Sequence, residues 1–180
     1  MTVLVRSRQS QWAMQELDAR RAIGFAEDGL RVPGTSAQTR ALCTSWAALG
    51  RALARDRTAC ERRLEAAHGL VRHDGSPAPS WAGGFPITPV YVHAAEARCW
   101  LWLQPSKSVS LYDTLVLEWP RDRMRTSGLH QARLALACAA AGERDRASAE
   151  GRKALAIARA TKSSLIGREL KRLGETLRAA

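Results

Sequence analysis

Aromatic side chains are scarce in this sequence: six Trp, two Tyr and two Phe among 180 residues, and none after Trp119. Single-stranded nucleic acid is held largely by stacking bases on such rings, so the last 60 residues are poorly equipped for that task. Lysine is scarcer still, with Lys107, Lys153, Lys162 and Lys171 only, so arginine carries the positive charge. No apolar run approaches the roughly 18 residues of a membrane helix. The opening MTVLVRSRQSQW also lacks the apolar core of a secretory signal, so a cytoplasmic protein without membrane contact is expected. The four cysteines, Cys43, Cys60, Cys99 and Cys138, are isolated, with no CxxC and no Cys/His pair at metal-ligand spacing. They read as small buried hydrophobes in a reducing compartment, and no metal is expected. The histidines His68, His73, His93 and His130 sit in no HExxH, and no GxSxG, Walker loop or GxGxxG occurs. The expectation is a protein that is not an enzyme and needs no cofactor.

What the chain has in quantity is Ala, Leu and Arg, with 46% hydrophobic residues. Few β-branched runs and many helix formers predict an all-α fold. The formal charge of +11 is uneven. Residues 1–75 hold 12 basic and 8 acidic groups, 76–120 hold 2 and 3, and 121–180 hold 14 and 6. An arginine excess with abundant alanine is the composition expected of GC-rich coding, so part of the basicity is discounted as a binding signal.

The clearest pattern is GLHQARLALACAAAGERDRASAEGRKALAIARA, residues 128–160. An Ala/Leu run stops at Gly142, a charged turn follows, and a second amphipathic run places Ala147, Ala154, Leu155 and Ala158 on one stripe. Leu134-Ala135, Gly142, Ala147 and Ala154-Leu155 stand at the spacing of a tetratricopeptide-type helical hairpin. The same interval recurs as Ala22 to Gly29-Leu30, Ala59 to Ala66-Ala67, and Val109 to Val116-Leu117. The anchors Ala22, Ala59, Val109 and Ala147 lie 37, 50 and 38 residues apart. These intervals predict one helical-repeat domain over 1–180: an incomplete repeat 1–33, a repeat 36–72, a loop 73–89, repeats 90–119 and 121–160, and a capping helix 162–179. Residues 4–16 predict a weak helix anchored by Trp12. Pro33-Gly34 breaks the chain, Ser36 caps the next helix, and Leu42, Trp46, Leu49 and Leu53 mark its inner face. Four prolines and three glycines within His73–Pro89 exclude a helix there, and Trp81 and Phe85 are expected to tuck that loop down or meet a ligand. Pro105 suits a first helical turn. Ser163 or Ser164 caps the last helix, with Ile166, Leu170, Leu173 and Leu177 as its stripe.

The residues Arg133-Leu134-Ala135-Leu136-Ala137, Ala141-Gly142-Glu143, Gly151-Arg152-Lys153-Ala154-Leu155 and Arg168-Glu169-Leu170 add up to a resemblance. Over about residues 90–180 the chain is similar to the C-terminal tetratricopeptide-like region of actinobacterial Cro/cI-type (XRE) helix-turn-helix transcriptional regulators. That resemblance implies a sensing or oligomerising domain that follows a DNA-binding head. Residues 1–35 contain no paired short helices with a base-reading helix, so direct operator binding by this chain is not expected. The family's motif consists of packing residues and supplies no catalytic set.

Stacked hairpins present a concave surface, on which the repeat register places Arg51, Tyr91, Arg98 and Trp102. Arginine offers charge-assisted bonds to carboxylates, and Tyr and Trp offer broad apolar contact. The expected partner is a protein or peptide, or a second copy of the chain as a homodimer. Tyr91, Trp100 and Trp102 fit an inter-repeat core equally well. The alternative partner is nucleic acid, bound through the basic C-terminal face.

Overall fold

The computed structural model describes residues 3–72, 89–119 and 122–179, and all the regular structure among them is helical. Nine helices follow in order: α1 (Val3–Gln15), α2 (Ala19–Leu30), α3 (Ala37–Leu53), α4 (Arg57–Arg72), α5 (Pro89–Leu103), α6 (Pro105–Glu118), α7 (Met124–Ala140), α8 (Arg144–Thr161) and α9 (Ser164–Ala179). They form two compact units, one ending at Leu103 and the other starting at Gln104. The pair α5 and α6, expected to form one repeat over 90–119, is therefore divided between the units. The loop before α5, with His73, Trp81 and Phe85, lies outside the described residues.

In the first unit α1 packs on α2 and α3, α3 pairs with α4, and α5 lies against α3 and α4. The local signals are simple. Asp18 caps α2 by accepting the Arg21 N–H at 2.9 Å, and Ser36 caps α3 by accepting the Thr39 N–H at 3.3 Å. The core gathers Met14, Ala22, Leu42, Trp46, Leu49 and Val92 with small residues between them. Helices α2 and α3 cross where Gly50 stands. A Cβ there would meet Ile23 Cγ1 at 2.6 Å and the Ile23 backbone nitrogen at 3.2 Å. Only the absence of a side chain allows that approach.

Helix α1 corrects one expectation. Trp12 is 72% exposed and anchors nothing, whereas Met14 is wholly buried. Ser7, Ser10 and Met14 fall on one stripe at 100° per residue, and Trp12 points roughly opposite. The Ser10 hydroxyl, also buried, is satisfied by donating to the Ala22 carbonyl at 2.8 Å.

In the second unit α7 is central, packed by α6, α8 and α9, and nearly every residue from His130 to Ala139 is buried. Pro105 occupies the first turn of α6. Helix α7 stops at Gly142, whose φ of +86° is the left-handed value glycine adopts freely. Around it the Glu143 N–H donates to the Cys138 carbonyl at 2.9 Å and the Gly142 N–H to Ala139 at 3.1 Å, the Schellman arrangement. Ala147, Gly151 and Ala154 form the inner face of α8. Leu155, one residue and 100° further round, is exposed rather than part of that stripe. The Leu173 side chain fills the space over Gly151. Ser163 accepts the Ile166 N–H at 3.4 Å at the start of α9, whose Ile166 and Leu173 are buried.

Candidate functional site

The four residues expected on a common concave surface divide into two groups. Tyr91, Arg98 and Trp102 share one stripe of α5, and that stripe faces the core of the first unit. Tyr91 and Trp102 pack against it partly buried. Arg98 is only 5% exposed, with its guanidinium 5.6 Å from the centre of the Trp102 ring, a cation–π placement. Arg98 is a packed residue of the interior rather than one offered to a partner. Arg51 belongs elsewhere, in a charge cluster on α2, α3 and α4. Its guanidinium reaches Glu27 at 3.1 Å and Asp56 at 3.6 Å. The same Glu27 oxygen accepts from Arg63 at 3.3 Å.

Beside that cluster an open groove of about 500 Å³ runs between α3 and α4. Ala37, Ala66 and Gly69 make it concave because their side chains are short, and a Cβ on Gly69 would meet open space. Arg40 and Arg63 line it as well, with Thr44 between them. The Thr44 hydroxyl donates to the Arg40 carbonyl at 2.7 Å and is thereby occupied.

A second groove, about 520 Å³, lies along the outer face of α1. Leu4, Val5 and Trp12 supply its apolar wall, and Arg8, Gln11 and Gln15 its polar edge. Arg8 donates to Gln11 at 2.9 Å. Sequence spacing missed this surface because α1 carries Val5 and Trp12 outward while Ser7, Ser10 and Ala13 join Met14 inside. The signal that finds it is the pairing of Val5 with Trp12, seven residues and two turns apart.

Between α4 and α5 sits a half-buried polar cluster. His68 Nε2 lies 2.9 Å from Glu96, and the Trp100 indole N–H donates to the other oxygen of Glu96 at 3.1 Å. The His93 ring is 4.9 Å from that of His68, and the Arg57 guanidinium lies over Trp100 at 5.1 Å. Glu96 thus orients both neighbours. No group of three His, Cys, Asp or Glu among the described residues is placed to hold a metal ion.

In the second unit His130 is 3% exposed, between Trp119 (ring centroids 4.3 Å apart) and Tyr112 (6.1 Å). Neither ring nitrogen of His130 has a hydrogen-bond partner among the described residues. Burial, with Arg133 adding repulsion, pushes its pKa down to about 3. Arg133 itself bonds the buried Glu169 at 3.2 Å, and Arg172 adds a second contact to that carboxylate at 3.2 Å. Arg146 is held in its charged form chiefly by its hydrogen bond to Asp113. Exposed Arg152 and Arg159 on α8, and Lys171 and Arg178 on α9, have no ion-pair partner among the described residues. All four cysteines are buried and free. No helix among the described residues is long and apolar enough to cross a membrane.

Among the described residues these features define a class no finer than an all-α chain of packed helices, with an open groove between α3 and α4 and another along α1. Compared with models of known families, with curated proteins and with solved structures, the chain matches none.

Proposed function

We propose that this chain is a non-catalytic protein- or peptide-interaction module of transcriptional-regulator type. In this reading it is a tetratricopeptide-like set of helical hairpins closed by α9, working in the cytoplasm as scaffold, sensor or oligomerisation domain. The observation that supports it is the outer face of α1. An indole 72% exposed beside the exposed Val5, over a groove of about 520 Å³, is apolar surface of the kind that partner helices cover. Trp is also the residue type that most often dominates such contacts. The occupant is an amphipathic helix, from another protein or from a second copy.

The test uses the full chain as bait for a displayed peptide library, with light scattering at high concentration in parallel. Trp12→Ala is expected to weaken the selected binder, or the dimer, at least tenfold while leaving the helical signal intact. A chain that selects no binder and stays monomeric, or a binder indifferent to Trp12→Ala, removes the reading.

A second reading rests on a different observation, the exposed cations of α8 and α9. In it the chain is a basic accessory protein held to nucleic acid through phosphate contacts. Mobility shifts that fall steeply with salt would favour it, and no shift at low salt would eliminate it.

A further inference from the structure

We infer that the groove between α3 and α4 recognises a carboxylate side chain of an acidic peptide, an inference that rests on the interaction-module reading and gives it a ligand chemistry. Three observations on the groove converge. It is lined by Ala37, Ala66, Gly69 and Leu70 besides Thr44 and its arginines, so three of its seven lining residues present no more than a methyl group to an extended segment. Its rim carries two guanidiniums, Arg40 and Arg63, and no carboxylate lines it. Arg40 has no ion-pair partner among the described residues, and Arg63 shares one oxygen of Glu27 with Arg51. A guanidinium has five N–H donors in a planar fork, so both residues retain donors for a bidentate carboxylate. Three arginines, 40, 51 and 63, stand here against two carboxylates, Glu27 and Asp56. The local excess is positive, which a carboxylate complements. Leu70 and the two alanines favour a peptide carrying a small apolar side chain beside its acid over a bare ion.

The probe is a pair of fluorescein-labelled ten-residue peptides, one alternating Glu with Ala and the other replacing each Glu by Gln. Binding to the full chain is followed by anisotropy. The Glu peptide is expected to bind and the Gln peptide to bind at least tenfold more weakly. Arg40→Ala should cost tenfold or more, and Arg40→Lys should recover part of that loss, since a point charge replaces the fork. Gly69→Leu fills the groove from a position with open space around it, and should abolish binding while the helical signal and melting temperature hold. Arg152→Ala, on the second unit, should leave binding unchanged.

No binding of the Glu peptide overturns the inference, as does equal loss in Arg152→Ala, which would reduce the effect to net charge. Retained binding in Gly69→Leu, or competition by inorganic phosphate as effective as by free peptide, also overturns it. A library-selected binder lost in Trp12→Ala but untouched by Arg40→Ala keeps the module and discards this groove.

Discussion

Gly50 and Gly69 belong to neighbouring helices and predict opposite responses to one methyl group. At Gly50 a Cβ meets Ile23 side-chain and backbone atoms at 2.6 and 3.2 Å. Gly50→Ala should therefore cost about 1–3 kcal/mol through overpacking, more than the gain of about 1 kcal/mol in helix propensity. At Gly69 nothing obstructs the methyl, and Gly69→Ala should stabilise by about 0.5–1 kcal/mol. Denaturant midpoints of the two variants read both signs. His130 gives the residue-scale pH dependence. Its folded pKa, about 3, lies below the unfolded 6.5, so between these values the unfolded chain binds the proton and the folded one does not. Stability is unaffected above pH 6.5 and falls as pH drops below it. At pH 5 the loss is about 2 kcal/mol. His130→Phe removes that dependence, so its stability relative to the parent should rise from pH 7 to pH 5. A parallel pH profile for the two proteins would contradict the buried neutral imidazole.

At the scale of elements, α1 and α9 show what a pattern reveals and what it conceals. The ends of most helices were legible: Ser36 as a cap, Pro105 in a first turn and Gly142 as a stop are short-range signals that tertiary packing did not override. The inner faces of α3 and α9 were legible too, because Leu42, Trp46 and Leu49, and Ile166 with Leu173, are large and evenly spaced. Helix α1 was not, since hydropathy assigns Trp12 to the core whereas packing space selects Ser7, Ser10 and Met14. Met14→Ala should accordingly cost about 2–4 kcal/mol, and Trp12→Ala less than about 0.5 kcal/mol, by chemical denaturation. Arg98 illustrates a second blind spot. The register grouped it with Tyr91 and Trp102 on a partner-facing surface, and nothing in a one-dimensional pattern marks a guanidinium as interior. The two grooves were likewise unread: the one between α3 and α4 depends on small residues that hydropathy passes over, and the one on α1 on large residues that hydropathy assigns inward. In α9 the buried Glu169 interrupts an apolar stripe to meet Arg133 and Arg172. Glu169→Ala should cost about 3 kcal/mol by stripping Arg133 of that carboxylate, and Glu169→Gln somewhat less, read by thermal unfolding.

Across the whole molecule, the four thiols report on integrity. Cys43 and Cys60 lie in the first unit and Cys138 in the second, each wholly buried, as is Cys99. Burial pushes Cys43 and Cys138 up to about 11 and raises Cys99 as well, and the thiolate is the reactive form. The native chain should therefore leave all four unlabelled by a disulfide reagent at neutral pH and expose all four in denaturant. Fast labelling of one thiol without unfolding would show that its unit opens locally.

The single oxygen of Glu27 shared by Arg51 and Arg63 makes the chain its own antagonist. Any incoming carboxylate at the α3/α4 groove meets an Arg63 whose charge is already partly countered by the resident one, which lowers affinity and screens out weakly acidic visitors. Glu27→Gln lifts that internal competition, so anion capture should tighten in the same variant whose helices α2, α3 and α4 are held together less firmly. Selectivity at the groove and cohesion of the helices beneath it are then two readouts of one carboxylate.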